Sequence, residues 1–389
     1  SLDGGSYVIS GLTITYTSRY LGLFGYTDGA TLENIYLSGV SVTGTASTST
    51  SYAGGLVGYN KDTSITNSYA TGTISLTNTN NSIYAGGLVG KTYALSGGTA
   101  NITDSYATGS VTANSSGDYV YAGGLVGYNE GSFGTADITD SYATGSVSAV
   151  SSGDYVYAGG LVGYNYSYDG TADITNSYAT GSAAATANGY LCAGGLVGCN
   201  RADGNTANIT NSYATGSVTA TTDLFACAGG LVGVNDEGTV TNSYATGSVS
   251  ATGGLSPDEG GLIGDNDGGV ITSSYWDTQT SGQAASDGGT GKTTSQMMAQ
   301  ATFSGWTFDA SNWGIVEGET YPYLAALHTG TPHGISGIAY SDTGSTDVGA
   351  NKTIALAING SLYGDTVKTG NNGFYYFLLE AADLSLNDE

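Results

Sequence analysis

One apolar phrase is repeated along this sequence, and the repetition constrains the fold more than any other feature. The nine residues YAGGLVGYN occur unchanged at 52–60, 121–129 and 157–165, and close copies stand at 84–90 and 192–200. The last glycine of the phrase recurs every 31 to 37 residues. A regular period of this size is the signature of a chain built from stacked structural repeats.

A second phrase, SYATG, runs in phase with the first. Both phrases are rich in Gly, Thr, Ser, Val, Ile and Tyr, a composition that favours strands over helices. Within ITNSYATGSV the alternation predicts that Ile, Asn and Tyr share one face. The tyrosines of the second phrase, including two degenerate copies at the ends, are Tyr36, Tyr69, Tyr106, Tyr142, Tyr178, Tyr213, Tyr244 and Tyr275.

These patterns predict an all-β fold, a parallel β-solenoid (β-helix) of about eight coils over residues 1–275. Each repeat is expected to hold about three short strands, and like strands of successive repeats stack in parallel about 4.8 Å apart. A single coil cannot bury its own apolar face, whereas stacking buries a continuous one. The repeated Leu, Val, Ile and Tyr are therefore expected to stack on their own copies.

Asparagine follows the glycine phrase in most copies. We interpret these residues as a turn ladder whose amides hydrogen-bond from coil to coil, because a buried amide must be paired. The ladder is predicted to fail at Thr27 and again after Gly90, where the chain reads KTY. Its members are Asn60, Asn129, Asn165, Asn200, Asn235 and Asn266.

Residues 276–327 break the period and are predicted to form a cap. The stretch TTSQMMAQATF indicates a short helix whose first turn is capped by Thr293 or Thr294. Three tryptophans supply large apolar surfaces that would cover the last coil, since an uncovered coil leaves strand edges unpaired. These tryptophans are Trp276, Trp306 and Trp313.

The remaining sequence divides into a linker at 328–334 and a second fold at 335–389. The linker contains His328 and His333, but no Cys or carboxylate stands nearby at metal-ligand spacing, so no metal site is predicted. Residues 335–389 indicate four or five strands of an Ig-like β-sandwich, and TGNNGFYYF is a hairpin signal. Such sandwiches usually have about seven strands. Either the sequence was cut or a neighbouring chain supplies a strand.

The balance of charge excludes some classes of partner. The chain has 389 residues, with 32 acidic against 7 basic side chains and a formal net charge of −25. Nucleic-acid binding needs clustered Lys and Arg, so we expect no nucleic-acid partner. No apolar run approaches about 18 residues, so we predict no membrane span.

The repeats resemble the GLUG-type repeats of large secreted bacterial surface proteins, the filamentous-haemagglutinin-like adhesins. The opening LDGGSYVISGLTI and the closing segment from SYWDTQTSGQ to YPYL resemble the segments that begin and end such repeat arrays. The resemblance implies a secreted, multi-modular β-helical stalk or adhesin at the cell surface, without enzymatic activity. It does not supply a ligand.

Two sets of tyrosines are candidate binding residues. The tyrosines of SYATG could form a flat strip for sugar rings, but a stacked core ladder is the favoured interpretation. The tyrosines that flank AGGLVG are expected to be more exposed, and we assign any glycan binding to them and to the variable loops. They are Tyr52, Tyr84, Tyr121 and Tyr157 before the phrase, and Tyr59, Tyr128 and Tyr164 after it.

The three cysteines follow the same register. Cys192 and Cys227 occupy one repeat position and should stack on adjacent coils, at a Cα separation of about 4.8 Å that lies within disulfide range. Cys199 should stack on Val234 and be left over. A disulfide and two packed thiols both remain open for Cys192 and Cys227.

The acidic stretch DNDGG at 265–269, with Asp258 and Glu259 nearby, is faintly similar to calcium loops. It lacks the glutamate that closes the known loop. We interpret these residues as solvated turn acids and predict no cofactor, with calcium as the alternative.

We therefore expect an extracellular structural or adhesive surface protein, with assembly into a surface filament through the chain ends as one form of this role. The alternative is a glycan-binding module that uses exposed tyrosines and loop residues. A polysaccharide-degrading enzyme is the third class, but no pair of carboxylates is marked out for catalysis. No enzymatic activity is predicted.

Overall fold

The structure is a computed structural model that describes residues 1–254 and 257–383. Within these residues four parallel sheets, here named A to D, run along the stack of coils. The predicted parallel β-solenoid is confirmed. It makes about seven turns, because the eight described strands of sheet C, and likewise of sheet D, are separated by seven coil steps.

Sheets A, C and D each take one strand per coil. Sheet A contains Leu2–Asp3, Thr31–Glu33, Ser64–Thr66, Ile102–Thr103, Ile138–Thr139, Ile174–Thr175, Asn208–Thr210, Thr239–Thr241 and Val270–Thr272. Sheet C contains Tyr20–Leu21, Ser51–Ala53, Ile83–Gly86, Tyr119–Gly123, Tyr155–Gly159, Tyr190–Gly194, Phe225–Gly229 and Asp258–Gly260. Sheet D contains Phe24–Asp28, Val57–Lys61, Val89–Leu95, Val126–Ser132, Val162–Tyr168, Val197–Asp203, Val232–Asp236 and Ile263–Asp267.

Sheet B takes two strand segments from most coils, one on each side of the Thr-Gly of SYATG. Its strands are Val8–Ser10, Thr13–Tyr16, Tyr36–Ala46, Tyr69–Asn78, Tyr106–Ala107, Ser110–Ser115, Tyr142–Ala143, Val147–Ser151, Tyr178–Ala179, Ala183–Ala187, Tyr213–Ala214, Val218–Thr222, Tyr244–Ala245, Val249–Thr252, Tyr275–Asp277 and Thr290–Lys292.

The strands pair in register, so that each repeated residue lies against its own copy. Ile102 pairs with Ile138, and Val126 pairs with Val162. The Leu, Val and Ile of the repeats point inward and are fully buried in one continuous core, as at Leu125. The burial of one apolar column by the next explains why the phrase is repeated.

The Gly-Gly of YAGGLVG turns the chain from sheet C into sheet D. A Cβ atom on Gly55 would lie 2.7 Å from the Cβ of Ala70 and 2.8 Å from the carbonyl oxygen of Gly87. Neither neighbour is the free end of a flexible side chain, so the corner has no room for a larger residue. The backbones of successive coils approach closely there, and only glycine permits this.

The face assignment predicted for ITNSYATG is wrong. Asn67 has a φ of 43°, in the left-handed region, and equivalent residues in other coils share this conformation. The bend reverses the alternation, so that Ile65 and Ser68 point inward and Tyr69 stands outside the solenoid core. The bend also separates sheet A from sheet B, which gives four sheets where about three strands per repeat were predicted.

The serine that precedes each of these tyrosines forms a buried ladder that the sequence interpretation missed. The Ser68 Oγ accepts a hydrogen bond from the backbone N–H of Ile35 at 3.1 Å and donates to the carbonyl of Thr66 at 2.9 Å. The pattern recurs in each coil, and its members are Ser68, Ser105, Ser141, Ser177, Ser212, Ser243 and Ser274.

The predicted asparagine ladder is confirmed. The Asn165 Nδ2 donates to the Asn200 Oδ1 at 2.8 Å and to the carbonyl of Ala172 at 2.6 Å. Each buried amide thus closes its own turn and also joins the next coil. Direct bonds of this kind link Asn129, Asn165, Asn200, Asn235 and Asn266.

Of the two predicted interruptions of the asparagine ladder, the one after Gly90 is present and the one at Thr27 is not. The Thr27 Oγ1 donates to the Asn60 Oδ1 at 2.8 Å, so a threonine hydroxyl continues the ladder at its start. At the second point Thr92 interrupts it. The Thr92 Oγ1 and the Asn129 Oδ1 are both buried and have no hydrogen-bond partner among the residues that the structure describes.

The segment after the last coil contains two short helices, α1 at Thr278–Ser281 and α2 at Thr294–Met297, and a 3₁₀ turn at Gln300–Thr302. The helix predicted here is α2, and Thr293 caps it. The Thr293 side chain accepts from the Gln296 N–H while the Gln296 side chain accepts from the Thr293 N–H, which is a capping box.

Residues 283–292 cover the edge of the last coil. The Gly261 N–H donates to the carbonyl of Ala285, and the Asp287 N–H donates to the carbonyl of Ile263. Trp276 lies in the solenoid core, as predicted for a cap residue. The prediction is wrong for Trp306 and Trp313, which pack outside the core.

The chain then runs through a small antiparallel pair, Trp313–Gly314 with Tyr323–Leu324, and a 3₁₀ turn at Ala325–Leu327. Up to residue 383, the C-terminal module contains four strands in two antiparallel pairs. His333–Ile338 pairs with Phe374–Leu379, Thr353–Ile358 pairs with Ser361–Lys368, and a 3₁₀ turn follows at Ala381–Asp383.

The hairpin predicted at TGNNGFYYF is wrong, because the strands on its two sides belong to different sheets. The hairpin of this module turns at Asn359 and Gly360, both with positive φ, which suits a tight two-residue turn. His333 lies in a strand, not in the predicted linker. Among the described residues, no helix is long and apolar enough to cross a membrane.

Candidate functional site

The tyrosines of SYATG form a row on the outer face of sheet B, which we name the outer tyrosine row. It comprises Tyr36, Tyr69, Tyr106, Tyr142, Tyr178, Tyr213, Tyr244 and Tyr275. From Tyr36 to Tyr244 successive rings stack nearly parallel, with centroids 4.7 to 5.1 Å apart. The predicted ladder is therefore stacked, but it does not belong to the solenoid core.

The two halves of the outer tyrosine row have different surroundings. The first four rings, Tyr36 to Tyr142, are half-buried, whereas Tyr178 to Tyr275 are buried. The buried half packs in a second apolar cluster with Met297, Trp306 and Trp313. The outer row is thus the surface on which the C-terminal part of the chain docks.

The tyrosines that flank AGGLVG form a second cluster, the corner tyrosines. Tyr121 stacks on Tyr157 with centroids 5.3 Å apart, and it meets Tyr128 edge to face at 4.9 Å. Tyr157 meets Tyr164 in the same way at 4.8 Å. The Gly-Gly corner brings the two rows together, because it places the ends of sheets C and D side by side.

The prediction that these residues are exposed is wrong for the corner tyrosines as a set. Tyr52 is 7% exposed and Tyr121 is 9% exposed. The other members are half-buried; they are Tyr59, Tyr84, Tyr128, Tyr157 and Tyr164. The tyrosines before AGGLVG and those after it cover each other. The periodicity of a single strand does not predict this contact between two strands.

A lysine replaces tyrosine at one position of this corner. The Lys91 Nζ lies 4.5 Å from the ring centroid of Tyr128 and 5.6 Å from that of Tyr84. It also lies 2.8 Å from the Glu130 Oε2. The aromatic faces and the carboxylate together balance a cation that is largely removed from water.

The environment keeps the corner tyrosines neutral. Burial raises the pKa of the Tyr128 hydroxyl well above its usual range, and the neighbouring Glu130 carboxylate raises it further. Burial has the same effect on the pKa of Tyr121 and of Tyr164. Because both faces of the inner rings are covered, these residues offer ring edges and hydroxyls to a ligand.

The cysteines lie where the register predicted. Cys192 and Cys227 are Cα partners on adjacent strands of sheet C, and all three thiols are free. Cys199 pairs with Val234. A hydrogen bond with Cys227 and burial raise the pKa of the Cys192 thiol, and burial raises the pKa of Cys199 to about 12. The thiols of Cys192 and Cys199 are therefore protonated and weakly nucleophilic at neutral pH.

Of the residues considered for calcium, Asn266 and Glu259 have structural roles. Asn266 ends the asparagine ladder, and its backbone N–H donates to the Asp287 Oδ2 at 2.8 Å. The Glu259 carboxylate accepts from the backbone N–H of Ala251 and from the Gln283 side chain. Over residues 1–254 and 257–383 no three His, Cys, Asp or Glu side chains are grouped as metal ligands.

A cavity of about 440 Å³ separates the outer face of sheet B from the C-terminal module, and we name it the module cavity. One wall is the outer tyrosine row from Tyr142 to Tyr244, with the Thr, Gly and Ser that follow each tyrosine. The opposite wall comes from strands Ser361–Lys368 and Phe374–Leu379. His328, Tyr321 and Glu380 also line it.

The sequence interpretation placed His328 in a linker, but the structure places it in the lining of the module cavity. Its Nδ1 lies 2.6 Å from the Glu380 Oε1, and its side chain is only 7% exposed. Its ring lies edge to face with Tyr323 at 5.5 Å. No signal in the sequence joins His328 to Glu380, 52 residues later, because the pairing depends on how the module folds back on the solenoid.

The GLUG motif matches the chain six times, at residues 49–75, 81–112, 118–148, 154–184, 189–219 and 226–250. The solenoid therefore contains six GLUG repeats. Each match contains one Gly-Gly corner and one SYATG phrase, so the repeats coincide with coils of the solenoid. Comparison with curated proteins and with solved structures gave no match.

Proposed function

We propose that this GLUG-repeat chain is an extracellular, non-enzymatic surface protein with a structural or adhesive role. The observation that carries the proposal is the set of three ladders that run along the stack, of which the asparagine ladder has one interruption, at Thr92. Ser68, Asn165 and Tyr142 each represent a column whose members bond or stack from coil to coil. Such a stack is stiff along its axis, which suits a stalk that holds its two ends apart.

The sequence resemblance supports the same proposal. The segments before and after the GLUG repeats resemble those of filamentous-haemagglutinin-like bacterial adhesins, which are secreted to the cell surface. The excess of acidic side chains, 32 against 7 basic, also suits a surface that must not bind nucleic acid. Assembly into a filament through the chain ends is the more specific form of this proposal.

Glycan binding through the corner tyrosines is less favoured than a structural role. A sugar ring packs on the flat face of an aromatic ring. The faces of Tyr121 are covered by Tyr84 on one side and Tyr157 on the other, and the edge of Tyr128 meets the same ring. What these residues do is stabilise the corner between sheets C and D.

Intact cells that express the protein provide the test. Protease added outside the cells should remove the protein, while a cytoplasmic marker protein should survive, and isolated material should show rods by electron microscopy. Protection of the protein until the cells are lysed would contradict the proposed location. Filaments would support end-to-end assembly, and single rods at high protein concentration would contradict that part alone.

A further inference from the structure

We propose that the module cavity is a binding site for a neutral saccharide of one or two rings, with His328 as a central polar contact. This site goes beyond the proposed surface role, because a rod needs no ligand. The two proposals stand independently of each other.

The cavity has the size and the mixed lining of a small-molecule site. Its volume of about 440 Å³ falls within the roughly 300–1,000 Å³ that such sites occupy. On the solenoid wall, Thr and Ser hydroxyls recur at the spacing of the coils beside the edges of the outer tyrosine row. On the module wall, Phe374 and Phe377 supply apolar surface.

His328 has a polar side-chain atom that lacks a partner in the described part of the chain. The Glu380 carboxylate lies against Nδ1, so in the neutral ring Nδ1 carries the proton and Nε2 is the acceptor. The Nε2 atom is buried and has no hydrogen-bond partner within residues 1–254 and 257–383. The carboxylate thus fixes the ring of a lining residue whose second nitrogen can accept a hydrogen bond from a ligand.

A second unpartnered atom belongs to the solenoid wall. The Thr144 Oγ1 is buried without a hydrogen-bond partner among the described residues, and Thr144 also lines the cavity. Buried polar atoms in proteins are paired in the great majority of cases. The unpaired atoms of His328 and Thr144 in the lining of one cavity of ligand size point to a guest that both donates and accepts hydrogen bonds.

The charges around the cavity favour a neutral guest. The Glu380 carboxylate is engaged by His328 and by the backbone N–H of Thr329. The Lys368 Nζ donates to the Thr353 Oγ1. Among the described residues that line the cavity, Glu380 is bound to His328 and Lys368 is exposed to water, so these side chains offer no buried, unpaired charge to hold an ion. A sugar supplies hydroxyls for His328 and Thr144, and its apolar C–H groups can pack against Phe374 and Phe377.

The test uses the full chain and four named disaccharides, each added separately: cellobiose, maltose, lactose and N,N′-diacetylchitobiose. Binding is measured by saturation-transfer NMR and isothermal titration. We expect saturable binding of at least one, and His328→Ala should weaken it by about tenfold, as loss of one buried hydrogen bond and its partner does. His333→Ala is the matched control, because His333 pairs with Glu319 at 3.3 Å but does not line the cavity.

A second variant keeps the test valid should His328→Ala disturb the module. Thr144→Val keeps the side-chain shape and removes the unpaired hydroxyl, so it should weaken binding several-fold without lowering the melting temperature. No saturable binding of any of the four disaccharides would overturn the proposal, and so would binding that both variants leave unchanged. Neither result bears on the surface location or on the rods seen by electron microscopy.

Discussion

The gap in the asparagine ladder at Thr92 provides the sharpest test of how the coils are held together. In the uninterrupted part each amide donates twice, as Asn165 does to Asn200 and to its own turn. The Asn60 Nδ2 instead donates only within its turn, to the carbonyl of Thr63 at 2.8 Å. On the other side of the gap the Asn129 Oδ1 is buried and unpaired.

The change Thr92→Asn should close this gap. A new amide there can accept from Asn60 and donate to Asn129, which forms two buried hydrogen bonds at ~1 kcal/mol each. We therefore expect the free energy of unfolding to rise by ~2 kcal/mol. For a domain of about 250 residues this raises the melting temperature by about 4 °C, since each kcal/mol is worth about 2 °C at that size.

The reverse change, Asn165→Thr, is the matched control, because it creates the same gap inside the continuous part of the ladder. It removes the bonds to Asn129, Asn200 and Ala172 and should lower the free energy of unfolding by about 2–3 kcal/mol. Both variants are compared with the wild type by thermal unfolding followed by circular dichroism. A Thr92→Asn protein no more stable than the wild type would refute this account of the ladder.

Three further predictions concern the thiols, the glycine corner and the tyrosines. Under mild oxidation Cys192 and Cys227 should form a disulfide that leaves Cys199 free; peptide mass spectrometry without reductant checks this, and a Cys199 bridge would contradict the register. Gly160→Ala should prevent cooperative folding, because its Cβ would lie 2.0 Å from the carbonyl oxygen of Gly195. Gly305→Ala is the control: it has open space around the new Cβ but a φ of +88°, so it should lower the free energy of unfolding by only about 1 kcal/mol. Burial raises the pKa of the corner tyrosines above the ordinary value of 10.0, so the folded state holds their protons more tightly than the unfolded state. The free energy of unfolding should therefore fall as the pH rises above about 10. A free energy of unfolding that stays flat from about pH 9 to 11 would count against this burial.

The sequence predicts the solenoid well, because alignment of the repeats with one another gives the register in which their strands pair. Copies of Val126 and Val162 lie at equal positions in their phrases, so their pairing follows from alignment of the chain with itself. The asparagine ladder and the Cys192–Cys227 neighbourhood follow in the same way. These features depend only on each repeated residue lying next to its copy in the adjacent coil.

What the sequence does not reveal depends on single backbone angles and on distant contacts. The left-handed conformation of Asn67 places Tyr69 outside the core, and simple alternation of residues carries no signal of that bend. The burial of Tyr121 arises from a second row on another strand. The contact of His328 with Glu380 joins segments outside the repeats, where no internal copy exists for comparison.

Measurement of the spacing between coils is the most direct test of the parallel β-solenoid. Thr45, Thr77 and Thr221 are exposed and lie in one register column of sheet B, which runs through residues 114, 150 and 186. On a cysteine-free background, spin labels at Thr77 and Thr221, four coil steps apart, should lie about 19 Å apart. Labels at Thr45 and Thr221, five steps apart, should lie about 24 Å apart. Pulsed electron paramagnetic resonance should therefore show an increase of about 5 Å per added coil. Equal or unordered distances would contradict a parallel β-solenoid.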